Sequence, residues 1–255
     1  MNTVLFCAGT AVVLRFEYLI AREVVRKKLP DWNENKVRLF TVRVVSFTHA
    51  LLSALGCLFS LMDLNYIREP YDYHRPAAEY VFLFSTGYFI YDLLDMYFHN
   101  ELNNSKEYLI HHSLVIIAFT IIFCTGKLFG LAMITLLVEV QTIFLHLRTM
   151  VRLLNSSKKE SKYMDTLINA NFICLFLFRH IPVCWALYFL LFTDEKVPAP
   201  IKLFLLGGYS FLEYHNTHLT IAMAQADGFF GCERQFLSDD HCDPLGSVKN
   251  EVKKE

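Results

Sequence analysis

Three properties of this sequence predict an all-α fold, a polytopic transmembrane helical bundle of about seven spans. Of its 255 residues 54% are apolar and only 19% are charged, where soluble domains average about 45–50% and about 25%. Mean hydropathy is positive, at +0.33. The apolar residues also gather into runs of about 20, the length a bilayer core asks of a helix. A soluble fold would have to bury several such runs at once.

The predicted spans are 2–21, 44–64, 79–98, 108–124, 128–147, 166–192 and 201–224. The first carries Arg15 and Glu17. No Lys or Arg precedes its apolar stretch, whereas Arg22, Arg26, Lys27 and Lys28 follow it. A secretory signal has the opposite order, so residues 1–39 read as a retained anchor helix and a basic cytoplasmic segment. The second and fifth spans are the cleanest. For the third and fourth, the alternative to two full crossings is one hairpin that stops short. Pro182 is expected to kink the sixth by removing a backbone donor. Residues 226–255 read as a disordered cytoplasmic tail. Its Cys232 is a palmitoylation candidate, with an unmodified thiol the plainer reading. Cys7, Cys57, Cys124, Cys174 and Cys184 lie in apolar stretches without CxxC spacing, and read as small buried apolar side chains.

Charge fixes an orientation. Lys and Arg counted in alternate segments between spans come to 4 on one side and 17 on the other. Short positive loops stay cytoplasmic, so the N-terminus is expected outside and the C-terminus inside. The sequons at Asn103 and Asn155 then face the cytoplasm and should be unused.

An ionisable side chain at the bilayer centre costs about 2.5–3.5 kcal/mol on insertion scales. Several in one small protein need an answer from one another, from water or from a ligand. The third span carries Ser85, Tyr88, Asp92, Asp95 and His99 on one helical face. The fifth carries Thr135, Glu139, Thr142 and His146, again on one face. The fourth opens with Glu107, His111 and His112, of which Glu107 and His111 form an i, i+4 pair. With the orientation above, Asp92, Asp95, His111, His112 and Glu139 share a depth in the cytoplasmic half and form an intramembrane polar cluster. The alternative is that each sits hydrated near the interface and only ties helices together. Arg179 needs an acidic partner, and Glu213 is the expected one. His215 and His218 have ligand-like spacing but no third partner. No metal and no cofactor is predicted.

Four segments carry a family resemblance: RVVSFTH at 43–49, FSTGYFIYDLLDM at 84–96, EYLIHH at 107–112 and LLVEVQTIFLHLR at 136–148. Over roughly residues 40–225 the chain resembles a TLC domain, of the TRAM–LAG–CLN8 family, and within it the type 1/type 2 branch of TLC-domain-containing proteins. The resemblance implies the TLC fold. The ceramide synthases of this family carry a His–His pair, then a His–Asp pair and a further Asp. His111 and His112 match the first pair. Glu139 stands where the second pair has its Asp, Val138 replaces its His, and Thr142 replaces the later Asp. His111, His112 and Glu139 are therefore candidate catalytic residues, because a buried His–Glu pair can deprotonate an amine or hydroxyl. The set is incomplete, and acyl transfer is not demanded.

The type 1/type 2 branch is implicated in limiting incorporation of long-chain polyunsaturated acyl chains into phospholipids, which restrains fluidity, chiefly at the plasma membrane. The resemblance thus implies control of phospholipid acyl composition, with membrane lipids and acyl-CoA as partners and the endoplasmic reticulum as the alternative location. One competing function is a ceramide-synthase-like, acyl-CoA-dependent acyltransferase with His111 and His112 as base. Another is a lipid or small-molecule transporter, against which stands the lack of paired short broken helices in matching halves. The basic segment 22–43 is placed to meet anionic headgroups or CoA phosphates, although the positive-inside signal accounts for it. The histidine boxes of a di-iron desaturase, a nucleotide loop, GxSxG and HExxH are absent. Nothing points to nucleic acid.

Overall fold

The computed structural model describes residues 3–101, 106–154, 162–193 and 196–229. Asn103, Asn155, Cys232 and the tail beyond Phe229 lie outside the described residues. Every regular element among the described residues is helical.

Helix α1 (Thr3–Lys28) ends on Arg26, Lys27 and Lys28, cations that suit a helix C-terminus. A short turn leads to α2 (Glu34–Leu61), capped by the Asn33 side chain accepting from the Lys36 amide at 2.8 Å. The second helix therefore starts ten residues before the predicted span, and most of the basic segment 22–43 is helical. A single turn, α3 (Asn65–Arg68), precedes α4 (Pro76–Phe98), which opens on proline as helices tolerate. Helix α5 (Lys106–Thr125) stops at Gly126, whose φ of 66° closes the helix in the left-handed region.

The predicted fifth span is interrupted. It consists of α6 (Phe129–Thr135) and α7 (Val138–Leu154), and the single face expected from Thr135 to His146 does not run through. The Thr135 hydroxyl donates to the Leu131 and Ala132 carbonyls, competing with the backbone ladder. The amides of Leu137, Glu139 and Val140 then bond three residues back instead of four. The sixth span also departs from a plain helix. Between α8 (Lys162–Leu175) and α9 (Ile181–Tyr188) lies a π-helical turn, Phe176–His180, closed by the Ile181 amide on the Phe176 carbonyl. Pro182, with no N–H to give, is the reason for that wider turn. A second π turn spans Phe189–Thr193, and α10 (Ala199–Ala226) completes the bundle.

Among the described residues, five helical rods are long and apolar enough to cross a membrane: Thr3–Lys28, Glu34–Leu61, Lys106–Thr125, Phe129–Leu154 and Tyr163–Phe192. Helices α4 and α10, of 23 and 28 residues, also match a ~30 Å core in length at ~1.5 Å per residue. The exterior is apolar, with Val13, Phe16, Phe59 and Leu203 all more than half exposed. The interior holds polar links: Ser53 with Ser85 at 3.0 Å, Tyr88 to Ser46 at 3.0 Å, Gln141 to Asn171 at 2.9 Å. That arrangement suits a chain whose helices meet in lipid, where hydrogen bonds and close packing replace hydrophobic drive. Of the five cysteines read as buried, Cys7 and Cys57 are, but Cys124 and Cys184 are exposed and Cys174 is half-buried. An apolar stretch turns one side to lipid, so apolar context alone does not mean burial.

Two glycines mark close crossings. A Cβ on Gly87 of α4 would lie 2.7 Å from Thr10 Cβ of α1, and one on Gly130 would lie 2.3 Å from the Tyr66 carbonyl oxygen. The Tyr66 backbone cannot give way easily. Gly130→Ala is therefore expected to cost about 1–3 kcal/mol by overpacking, read as a lower thermal midpoint in detergent, while Gly207→Ala, with open space around it, does not lower it.

At the end of the bundle opposite the α1–α2 turn, Asp72 accepts from Lys196 at 2.7 Å and Lys127 at 2.9 Å, joining three connections. Those two ammonium groups hold its carboxyl below the usual carboxylate range. The stabilisation is present above the unfolded-state pKa of about 3.9 and fades as pH falls through the lower folded value. Asp72→Asn should lower the thermal midpoint slightly at neutral pH, and the gap from wild type should close on acidification below that range.

Candidate functional site

The sequence-predicted residues divide into two groups. On α4, Asp92 turns toward α5, where its Oδ2 lies 3.2 Å from His112 Nδ1. Asp95, three residues on, turns toward α1 and α2. It accepts from Arg38 at 2.9 Å and Arg15 at 3.4 Å, and its carbonyl lies 2.8 Å from His99 Nδ1. Asp95 is thus a structural anchor apart from the other four. Those four, Asp92, His111, His112 and Glu139, line one chamber. His112 and Glu139 are each 6% exposed, so burial rather than hydration at an interface describes them.

Several expected pairs are replaced. Glu107 does not meet His111; its Oε2 lies 3.1 Å from His215 Nδ1, linking α5 to α10. Arg179 does not meet Glu213. It donates to Asn216 and Thr142, each at 3.3 Å. Glu213 instead holds His180 Nδ1 at 2.5 Å, and His180 Nε2 lies 3.0 Å from the Thr220 hydroxyl. The π turn is the physical reason. An extra residue in the turn sends the adjacent Arg179 and His180 to different neighbours. His215 serves Glu107, and no group of metal-binding side chains is found among the described residues.

The chamber encloses about 1630 Å³, its open mouth included. Helix α2 supplies Arg38, Arg43 and His49 to its wall, and α7 supplies Glu139 and His146. Arg43 Nη1 lies 3.5 Å from His146 Nδ1. His49 is 1% exposed and stacks on Tyr88 with ring centres 3.8 Å apart, its Nδ1 3.9 Å from Glu139 Oε2. The buried atoms of its wall without a hydrogen-bond partner among the described residues include Arg43 Nε, His49 Nε2, His111 Nδ1, Glu139 Oε2 and Arg179 Nε. Buried polar atoms of that kind call for an explanation such as a ligand or water.

A second cavity, of about 980 Å³ with its opening, continues from the first. The two share Phe89, His111, Val138, Glu139 and Arg179 in their walls. Beyond that joint the walls turn apolar, with Val115, Ala118 and Ile122 of α5, Leu131 of α6 and Leu205 of α10. The result is a charged chamber opening into an apolar arm. Chemically, a histidine beside a carboxylate and a second histidine with a free ring nitrogen can take a proton from an amine or hydroxyl held at the joint.

The sequence match to known proteins decides the family. The sequence model of the TRAM–LAG1–CLN8 family, the TLC domain, matches residues 39–224. The chain belongs to the TLC domain family. Its TLC domain is 34% identical over 159 residues to TLC domain-containing protein 1 of Gallus gallus, covering 60% of this chain and 61% of that protein. It is 28% identical over 199 residues to TLC domain-containing protein 2 of Danio rerio, covering 78% and 79%. Less than two thirds of the chicken protein's length is thus matched. No solved structure matches this chain significantly. The protein is an integral membrane member of the branch that holds TLC domain-containing proteins 1 and 2.

The residues that sequence reasoning missed come chiefly from α2. Arg38, Ser46 and His49 of the chamber wall recur at helical spacing with Val42. That pattern was in the sequence, but it was hidden by starting the second span at residue 44, past Arg38 and Arg43.

The division between anchor and chamber is testable. Asp227, with a fully buried side chain, accepts from Arg148 Nη2 at 2.6 Å and from Arg152. Asp227→Asn should cost about 3–5 kcal/mol, because it leaves buried cations unanswered. Asp92→Asn, beside a histidine that can stay neutral, should cost less than about 1.5 kcal/mol. Thermal unfolding of both variants in detergent checks the contrast.

Proposed function

We propose that this protein controls the acyl composition of membrane phospholipids, and through it membrane fluidity, by holding a lipid in the joined cavities. In this reading it limits incorporation of long-chain polyunsaturated acyl chains. One observation carries the proposal: a single cavity system is charged at one end and apolar at the other, the division a lipid has between headgroup and chain. Arg43 and Arg179, whose Nε atoms are buried without a hydrogen-bond partner among the described residues, are donors for an anionic headgroup. The apolar arm offers an acyl chain an environment like the bilayer it leaves. The charge asymmetry of the loops favours a chamber opening to the cytoplasm, with the N-terminus outside. The plasma membrane is the proposed location, and the endoplasmic reticulum the alternative.

A second reading is favoured by the approach of His112 to Asp92. A carboxylate 3.2 Å from one histidine, beside a second histidine with an unpartnered ring nitrogen, is a starting arrangement for a general base. In that reading an acyl-CoA donor would lie with its chain in the arm, and the base would take the proton from the attacking amine or hydroxyl as the thioester is cleaved and the CoA thiolate leaves.

Lipidomics of cells lacking the protein tests both. Loss should raise polyunsaturated phospholipids, and wild-type protein should restore the profile. A change confined to ceramides overturns the main reading. Rescue with His111→Ala/His112→Ala separates the second reading, since full restoration by that variant removes acyl transfer.

A further inference from the structure

The apolar arm has a defined length, and one residue gauges it. Resting on the reading that the cavity holds a lipid, we propose that Gly208 of α10 sets the length of the single acyl chain that the arm admits. From His111 at the joint to Ile122 the arm follows α5 for about 16 Å at ~1.5 Å per residue. That is about half of a ~30 Å hydrocarbon core, the depth one acyl chain occupies in its own leaflet. On the α10 side the wall runs from Asn216 at the joint to Phe204 at the far end, with Gly208 between them.

Gly208 has no packing reason to be glycine. Glycine inside a helix costs about 0.5–1 kcal/mol against alanine, and close approach of a neighbour usually explains it. Around Gly208 a Cβ would meet nothing within 4 Å. The open space is the arm itself, because Gly208 lines it. The adjacent polar groups make no demand on a ligand, since Tyr209 and Thr135 lie 3.3 Å apart as a hydrogen-bonded pair. What remains at this level is an apolar bore kept wide by a missing side chain. Along α10, Gly208 stands about 12 Å from Asn216 and about 6 Å short of Phe204. A large residue there closes the last third of the arm and leaves the joint untouched.

Gly207 is the built-in control. It too has nothing within 4 Å of a Cβ, but it lies on the exposed side of α10 and outside the arm. A side chain at 207 projects toward lipid, and one at 208 projects into the bore.

The full chain in detergent is equilibrated with an equimolar series of saturated lysophosphatidylcholines of graded chain length, and the retained species are read by native mass spectrometry. Wild type and Gly207→Phe should retain the long members. Gly208→Phe should shift retention to members several carbons shorter, and Gly208→Ala should shift it less. Ala118→Leu, on the facing wall of the arm, gives the same direction of shift and serves if the phenylalanine variant does not fold, which a thermal midpoint reports. The proposal is overturned if both filled variants retain the wild-type distribution, if Gly207→Phe shifts it equally, or if wild type retains no chain. Retention with the expected shift but no phospholipid change in cells would sink the proposed function and leave the gauge standing. A phospholipid change in cells with no retained chain would do the reverse.

Discussion

An ionisable side chain inside hydrocarbon must be answered, and the way each one is answered sorts this structure into scaffold and site. Asp95 is met by two guanidiniums, Asp227 by two more, and Glu213 by His180. These knots hold neighbouring helices together, with α1 and α2 on α4, α7 on the end of α10, and the sixth rod on α10. The Asp95 and Asp227 knots are answered within the fold, whereas Glu213 keeps its Oε2 without a partner among the described residues. His49, His111 and Glu139 also keep a buried atom without a partner among the described residues, and these three line the chamber. A polar atom left unmade in a buried place costs about 1–3 kcal/mol. Several such atoms in the wall of one chamber describe a place prepared for a hydrogen-bonding ligand or for water.

Two of the backbone irregularities fall around the same chamber. Non-helical backbone at membrane depth persists where it lines a cavity or is buried in protein. The break between α6 and α7 comes just before Glu139, and the π turn in the sixth rod contains Arg179. Both residues stand at the joint between charged chamber and apolar arm. Local competition from Thr135 and the missing donor of Pro182 therefore do more than bend helices; they set the positions from which these two side chains reach the joint.

Much of the fold was legible in the sequence because it follows from one quantity, apolar run length. Each of the seven predicted spans lies on a helical rod, and Pro182 was readable as a disturbance. The cluster Asp92, His111, His112 and Glu139 was readable from helical spacing and from alternation of the rods. Helical spacing places Asp95 only within a sector of about one face, while its actual neighbours are set by which helices pack there. Asp92 and Asp95 differ by about 60° around α4 at 3.6 residues per turn, and that angle separates a chamber wall from an anchor. Arg179 was assigned to Glu213 for a similar reason, since a π turn changes the angular register that a regular helix would keep. His49 stood in a quoted motif, yet a lone histidine in an apolar stretch gives no sign of the stacked Tyr88 or the nearby Glu139 until three helices are placed together.

The matched domain begins at residue 39, but its helices are not complete from there. Both guanidiniums that answer Asp95, Arg15 and Arg38, precede that residue. Glu17 of α1 also accepts from Thr48 of α2 at 2.5 Å, and α1 crosses α4 at Gly87 so closely that no Cβ fits. Arg15 is half-exposed and Arg38 also answers Asp95, so that ion pair alone contributes little. The Glu17–Thr48 bond and the close crossing at Gly87 are what make α1 an integral part of the bundle. It fixes α4 from behind. With Asp95 pulled toward α1 and α2, the same helix presents Asp92 to His112 on the chamber side. The helix outside the family match is thus a condition for the geometry inside it.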